Sequence, residues 1–151
     1  MFFNFESDFV ESLRCIPMTV RLKLDTCGIK LKLDQWNRLM VSDRQQLISQ
    51  PCTAPEEVAN YRAMVQQLVQ EHTGQVASEL PIDLAPPWLD ATVVPDSVEE
   101  KARSLQLTIT QADWAKLNPT QRFALIKLSR SNHENQNFLP ALREFGLVEV
   151  Q

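Results

Sequence analysis

The sequence of 151 residues predicts an all-α protein, a single compact domain over residues 1–151 with about seven to nine short helices. Two observations favour this class. Apolar residues recur at helical spacing through most of the chain, and signals that start or stop helices follow one another at short intervals. Residues 29–33 alternate between apolar and charged side chains like a strand, but no long partner strand is evident. We therefore expect that stretch to be a brief extended connector.

The shorter helices have the weaker signals. Residues 17–24 begin with a proline, which suits the first turn of a helix, and Gly28 can adopt the left-handed conformation that stops it. Ser42–Gln45 and Ser97–Glu100 have the spacing of capping boxes and predict two more helix starts. Asn118–Arg130 opens with an asparagine and a proline, which predicts a further helix over that range.

The longest predicted helix begins at Thr53. Thr53 and Glu56 have capping-box spacing, and Pro55 fits the first turn. Gly74 can end the helix in the left-handed conformation. Its apolar stripe consists of Val58, Tyr61, Met64, Val65, Leu68 and Val69. This stripe predicts the face that packs on the core.

Two parts of the chain repeat one pattern at a constant offset. Trp36, Leu39, Arg44, Leu47 and Ile48 recur as Trp114, Leu117, Arg122, Leu125 and Ile126. Each copy predicts a short helix with a tryptophan, a turn, and a second helix with an arginine. The pattern reflects chance among helical sequences, convergence on one packing unit, or an internal helix–turn–helix duplication around residues 29–50 and 107–128. In a duplication, both tryptophans are buried, and the paired arginines are core-edge ion pairs or helix caps.

Residues 75–97 form a proline-rich connector between the two copies, which we call the proline belt. Its four prolines cannot donate backbone hydrogen bonds, and they bias their neighbours toward extended geometry. Its tryptophan and aliphatic residues are atypical of a fully solvated loop, so we expect an ordered belt laid over the helical core. The region from Gly74 to Glu100 is also acidic, with six carboxylates and no lysine or arginine.

The composition restricts the function classes. A formal net charge of -4 argues against a nucleic-acid partner, which requires a cationic face. No segment approaches the ~18 consecutive apolar residues of a membrane span, and the first residues lack the positive charge of a secretory signal. We therefore expect a cytoplasmic protein with no membrane partner. The oligomeric state does not follow from the sequence.

Soft metal ligands are few and widely separated: Cys15, Cys27, Cys52, His72 and His133. Their spacing matches neither a disulfide framework nor a zinc site, so we expect reduced thiols and no bound metal or other cofactor. His72 follows the apolar stripe of the longest helix, which favours a partly buried structural role.

A nucleophilic site could combine Cys15 or Cys52 with His133 and Asn135, but no local catalytic signature surrounds these residues. Free cysteines are often simply buried. The chain has three glycines, too few for a phosphate-binding loop. These features favour a protein that is not an enzyme.

Polar residues from Ser129 to Asn137 follow the helix ending near Arg130 and precede a last short helix from Phe138 to Gly146. Solvation alone explains such a composition, yet connectors on rigid scaffolds often bind partners. The arginines are the other polar candidates for recognition of a partner carboxylate. The predicted partner-binding residues are Arg14, Arg21, Arg130, His133, Glu134 and Asn135.

The stretch from Phe3 to Leu31 carries a recognisable pattern, and matching positions continue over nearly the whole chain. They are Trp36, Arg44, Pro51, Cys52, Trp88, Gln121–Leu125, His133–Asn135, Asn137 and Phe138. In these positions the chain resembles the nitrate-reductase-associated protein family. Members of that family are small soluble proteins that accompany the molybdenum-dependent assimilatory nitrate reductase of cyanobacteria.

The resemblance implies an accessory or maturation protein that makes nitrate reductase active by binding its apo or partly assembled form. It would support insertion of the molybdenum cofactor or an iron–sulfur cluster, or aid electron delivery. The resemblance implies no catalytic residues. One alternative is a small enzyme of cofactor or nitrogen metabolism that uses His133 with a cysteine, which predicts a pocket around them. Another is a regulatory binding protein, and either interaction role predicts an exposed apolar patch.

Overall fold

A computed structural model describes residues 3–6, 16–130 and 137–148, to which the structural statements below refer. This part of the chain contains eight α-helices, so the predicted all-α class and helix number are confirmed. The helices are α1 (Met18–Cys27), α2 (Leu33–Arg38), α3 (Val41–Ser49), α4 (Pro55–Thr73), α5 (Asp96–Ser104), α6 (Gln111–Lys116), α7 (Pro119–Arg130) and α8 (Phe138–Glu144). Short 3-10 helices cover Asn4–Glu6 and Pro87–Leu89.

The chain divides into two compact units. The first lies within Glu6–Asp83 and contains α1 to α4. The second combines Phe3–Phe5 with the residues from Leu84 onward and contains α5 to α8. The single domain expected over residues 1–151 stays a prediction.

In the first unit, α1 and α2 pack against α4. Tyr61 and Val65 of the predicted α4 stripe are buried with Trp36 of α2. Helix α1 has no capping side chain of its own, and the buried carboxylate of Glu6 accepts the Met18 N–H at 2.8 Å instead. A distant acid therefore satisfies one of the backbone donors that every helix N-terminus leaves unpaired.

The connector after α1 is more regular than expected. Strand β1 (Ile29–Lys30) pairs antiparallel with β2 (Ser78–Glu79) inside the proline belt, with Ile29 opposite Glu79. Gly28 ends α1 at φ +78°, and the Leu80 N–H donates to its carbonyl at 2.8 Å. A Cβ at Gly28 would lie 2.8 Å from Ile82 Cγ1. Glycine is thus required here by both backbone conformation and space.

The predicted capping boxes of the first unit are wrong by one or two residues. Ala54, not Thr53, caps α4, and the Glu57 carboxylate accepts the Ala54 N–H at 2.9 Å. Likewise Met40 precedes α3, and Asp43 accepts its N–H at 3.1 Å. A carboxylate three residues after the N-cap can bond back to it even where the N-cap side chain accepts nothing.

Among the other predicted starts, α5 follows Pro95, not Ser97. The start of α7 agrees with its prediction, because Asn118 and Gln121 form reciprocal side-chain to backbone bonds of 2.8 and 2.9 Å. At this start the N-cap side chain does accept a hydrogen bond, which is the arrangement that the sequence signal assumes.

In the second unit, α7 packs against α5, α8 and the turn at Pro87–Leu89. Its core-facing side chains are almost fully buried: Phe123, Ala124, Leu125, Ile126 and Leu128. The N-terminal Phe3 and Phe5 rings meet the Phe145 ring edge-on, with centroids 5.0 and 6.2 Å away. These contacts attach the start of the chain to the end of α8.

Each unit contains one copy of the repeated pattern, and we call α2–α3 and α6–α7 the Trp–Arg modules. Trp36 and Trp114 are both fully buried, as the duplication hypothesis requires. In each module the arginine Nε donates to the tryptophan carbonyl: Arg44 to Trp36 at 3.1 Å and Arg122 to Trp114 at 3.2 Å. The arginines therefore cap the C-terminus of the preceding short helix. These bonds go to carbonyl oxygens, as in a helix cap, and not to carboxylates, as in a core-edge ion pair.

Candidate functional site

The first unit has a surface cavity of about 280 Å³ between α4 and the loop that follows α3. Its walls are formed by Gln50, Pro51, Glu57, Asn60, Tyr61 and Met64. Three of these can form hydrogen bonds from α4, and the volume is close to the lower limit of small-molecule sites. The loop after α3, residues 50–54, therefore forms one side of a small polar recess.

Side chains from two helices fix this loop. The Lys23 Nζ of α1 donates to the carbonyls of Ile48 and Gln50 at 2.6 and 2.7 Å. The Tyr61 hydroxyl of α4 donates to the Leu47 carbonyl at 2.8 Å. Burial lowers the pKa of Lys23 and raises the pKa of Tyr61. The cation at Lys23 also suits its position at the negative end of the α3 dipole.

Beneath the loop, the structure brings two cysteines together. Cys27 is the last residue of α1 and is fully buried, and Cys52 follows Pro51 with 8% exposure. The Cys27 thiol donates to the Leu24 carbonyl and the Cys52 thiol to the adjacent Lys23 carbonyl, each at 3.6 Å. The two acceptor carbonyls belong to consecutive residues of α1, so both thiols lie beside the same helical turn. We call these two residues the thiol pair.

The thiol pair titrates as one unit in which each sulfur affects the other. The Cys52 thiol can donate a hydrogen bond to Cys27 when Cys27 is charged, and this lowers the pKa of Cys27. The nearby Arg62 guanidinium, which donates to the Cys27 carbonyl at 2.7 Å, lowers it further. The same bond and burial raise the pKa of Cys52, against the opposing effect of the Lys23 charge.

The thiol pair joins two cysteines that are widely separated in the sequence. Both residues are free cysteines in the structure. The pairing depends on α1 ending beside the loop after α3, and neither spacing nor periodicity in the sequence indicates it. The hypothetical catalytic pairing of Cys15 or Cys52 with His133 and Asn135 cannot be followed, because three of those residues lie outside the described residues.

The predicted partner-binding residues are only partly described. Arg14, His133, Glu134 and Asn135 lie outside the described residues. Arg21, on α1 of the first unit, is partly buried, and its Nε donates to the Ile16 carbonyl at 2.9 Å. Arg130 is the last residue of α7 in the second unit and is exposed.

His72 has the structural role that its position predicts. Its Nε2 lies 2.9 Å from Asp43 Oδ2, and both side chains are partly buried. The pair connects the end of α4 to the start of α3. Within residues 3–6, 16–130 and 137–148, no three histidine, cysteine or acidic side chains are grouped in a way that could hold a metal ion.

In the second unit, the proline belt is ordered over residues 84–95 by bonds to its backbone. The Arg122 NH1 group donates to the Trp88 carbonyl at 2.9 Å, and the Trp114 indole N–H donates to the Asp90 carbonyl at 2.8 Å. The Trp88 ring also packs edge-on against Phe123, with centroids 5.1 Å apart. Trp114 and Arg122 therefore have two roles: they form the second module, and their side chains fix the backbone of the belt.

The same segment exposes aliphatic side chains. Leu84 is 95% exposed, Leu89 61% and Val93 60%. Hydrogen bonds from the Thr92 hydroxyl and N–H lower the pKa of the exposed Asp90 carboxyl, so the segment also carries a stable negative charge. We call residues 84–95 the belt surface. A fixed backbone that displays apolar and acidic groups is suited to binding another macromolecule.

Comparison with known proteins identifies a matching family. A model of the family described as conserved nitrate reductase-associated protein matches residues 2–145. No curated protein and no solved structure gives a significant match. In the described part of the chain, none of the helices has the length and apolar content that crossing a membrane requires.

Proposed function

The chain belongs to the family of conserved nitrate reductase-associated proteins, and from this we propose that it is an accessory protein that acts by binding nitrate reductase. The family match over residues 2–145 is the observation that carries the proposal. The bound form would be the apo or partly assembled enzyme, and the result would be an active one. The accessory protein itself would catalyse no reaction, and the two proteins would meet in the cytoplasm.

Promoting assembly places a thermodynamic condition on this binding. A protein shifts an equilibrium between two states of its partner only by binding one of them more tightly. The accessory protein must therefore bind incomplete nitrate reductase more tightly than the completed enzyme. A tenfold preference corresponds to about 1.4 kcal/mol. It would then leave the enzyme once the cofactor is inserted.

We propose the belt surface as the part of the second unit that binds the enzyme. Leu84, Leu89 and Val93 are exposed on a backbone that Arg122 and Trp114 already fix, so little conformational entropy is lost on binding. The absence of lysine and arginine between Gly74 and Glu100 favours a partner site with basic residues around an apolar centre. The sequence-predicted residues Arg14, Arg21, Arg130, His133, Glu134 and Asn135 remain a second proposed contact region.

The test is a binding measurement with purified nitrate reductase, prepared with and without its molybdenum cofactor. We expect tighter binding to the cofactor-free enzyme, and binding that weakens with added salt. Val93→Glu should weaken binding by about tenfold or more. Val41→Glu is the matched control, because the exposure of Val41, 61%, is close to the 60% of Val93, but Val41 lies in the first unit on α3.

A cellular measurement addresses the consequence of binding. Deleting this protein should lower nitrate reductase activity more than it lowers the amount of nitrate reductase polypeptide. Equal affinity for the two enzyme forms, or normal nitrate reductase activity in the deletion strain, would overturn the proposed function. Equal binding by the Val93 and Val41 variants would remove only the belt surface.

A further inference from the structure

We propose that Cys27 and Cys52 form a redox-modification site, at which a small disulfide such as oxidised glutathione converts the thiol pair into an intramolecular disulfide. The two thiols donate to carbonyls of consecutive residues, Lys23 and Leu24, so they are held at one place on the last turn of α1. The inference does not depend on binding to nitrate reductase.

Neighbouring side chains fix the backbone around the thiol pair. Lys23 fixes the carbonyls of Ile48 and Gln50, which lie just before Cys52 in the chain. On the other side, Arg62 holds the carbonyl of Cys27. The backbone on both sides of the pair is therefore anchored by cationic side chains. A bond between the two sulfurs would close a chain segment whose ends the fold already holds together, so it requires little additional ordering.

Access is unequal and sets the order of the reaction. Cys52 is 8% exposed and follows Pro51, a wall residue of the cavity, whereas Cys27 is fully buried. A small disulfide therefore meets Cys52 first, and Cys27 must act second.

The reaction balances as two thiol–disulfide exchanges. The Cys52 thiol loses its proton to water, and the Cys52 thiolate attacks one sulfur of oxidised glutathione. The glutathione S–S bond breaks, one glutathione leaves and takes a proton from water, and a mixed disulfide remains on Cys52. Cys27 then releases its proton and attacks the Cys52 sulfur, which displaces the second glutathione. The thiol pair loses two electrons, and two glutathione thiols are formed.

The first experiment uses the full chain with Cys15→Ser, which leaves the thiol pair as the remaining cysteines of the three. The folded protein is incubated with oxidised glutathione, unfolded, and its thiols are titrated. We expect titratable thiols to fall from two to none, with peptide mapping that shows Cys27 joined to Cys52 and no glutathione retained. Excess dithiothreitol should restore both thiols.

The single variants test the order of attack. In Cys27→Ala, the Cys52 sulfur has no partner, and a glutathione mixed disulfide should accumulate on it. In Cys52→Ala, the buried Cys27 should stay free. Equal reaction of the two variants would refute entry at Cys52, provided that circular dichroism shows both to be folded.

The chain with both thiols decides the proposal even where a single variant does not fold. Retention of both thiols while circular dichroism shows an intact fold would overturn the site. The same conclusion would follow from oxidation that occurs only in urea, or from disulfides that join separate chains.

Discussion

The two Trp–Arg modules have the same internal hydrogen bonds but differ in how their arginines are surrounded. Arg44 is partly exposed, lies 5.6 Å from the Trp36 ring centroid, and also donates through its NH2 group to the Asn37 carbonyl at 2.8 Å. Arg122 is 7% exposed and donates to three carbonyls, those of Trp114, Leu117 and Trp88. The bond to the tryptophan carbonyl is the common part, and the bond to Trp88 exists only where the belt surface covers the module.

This difference distinguishes the capping role that both arginines share from the additional role of Arg122 at the belt. A guanidinium that caps a short helix can be left partly in water, as at Arg44. Burying that charge is costly unless every donor direction is satisfied, and the belt carbonyl supplies an acceptor at Arg122. The second module has therefore acquired a function beyond its own stability, namely positioning the segment that we propose as the binding surface.

The correspondence extends to the helix that precedes each module. Pro17 and Pro95 stand at the N-caps of α1 and α5 with similar backbone angles, φ -62° and -61°. Each helix is followed by a residue of positive φ, Gly28 at +78° and Gln106 at +61°. The same backbone turn is thus made once by the residue that favours it and once by a residue that does not.

The largest expected effect comes from the tryptophans. Trp36→Ala and Trp114→Ala should each lower the free energy of unfolding by about 3–5 kcal/mol, because both remove a fully buried large aromatic. Urea unfolding measures both. A cost near zero for Trp36→Ala would mean that the first module is not a structural equivalent of the second.

The arginines should distinguish the modules most clearly. Arg122→Ala leaves buried carbonyls without a donor and should cost about 3 kcal/mol, whereas Arg44→Ala exposes its carbonyls to water and should cost about 1 kcal/mol. Amide exchange at Leu89 and Asp90 in the belt should also become faster in the Arg122 variant. Unchanged exchange there, despite the loss of stability, would show that Arg122 does not hold the belt.

The two residues of positive φ, Gly28 and Gln106, give a test of the correspondence with smaller changes in stability. Gly28→Ala should destabilise the protein by about 1–2 kcal/mol, because a Cβ there would also meet Ile82 and the Leu80 carbonyl. Gln106→Gly should be neutral or stabilise by up to about 1 kcal/mol, since it relieves an unfavourable φ. Thermal unfolding measures the change in stability of each variant. Destabilisation by both substitutions, or stabilisation by both, would contradict the prediction.

The sequence predicted the helices well where a local signal determines them. Gly74 ends α4 as expected, and the α4 stripe faces the core. Capping register was harder, because Glu56 and Glu57 are adjacent acids and only the fold shows which one bonds back to the N-cap. The strand Ser78–Glu79 was missed because two residues are too few for a periodic signal.

The candidate site depended on contacts between distant segments and was therefore less predictable. The repeat identified Arg122 as structural, but nothing in the sequence showed that its donor would reach Trp88. Cys27 and Cys52 come together because a helix end and a loop share one core, which no residue spacing encodes. Long-range contacts of this kind follow from packing of the whole unit rather than from local preference.

The smallest expected effect is a pH dependence of stability that comes from Asp90 in the belt surface. The belt surface contacts the arginine of the second module, and in the described part of the chain the first module has no such segment at its arginine. Hydrogen bonds from Thr92 lower the pKa of the Asp90 carboxyl below its ordinary value of 3.8. The folded state therefore favours the charged form. The resulting stabilisation is fully present above pH 3.8 and is lost as the pH falls through the lower folded pKa. Asp90→Asn removes that titration, so the difference in urea midpoint between the two proteins should shrink as the solution is acidified below pH 3.8. The exposed position of Asp90 keeps the effect small. A difference that is constant or grows toward low pH would mean that the carboxylate does not stabilise the turn that carries the belt surface.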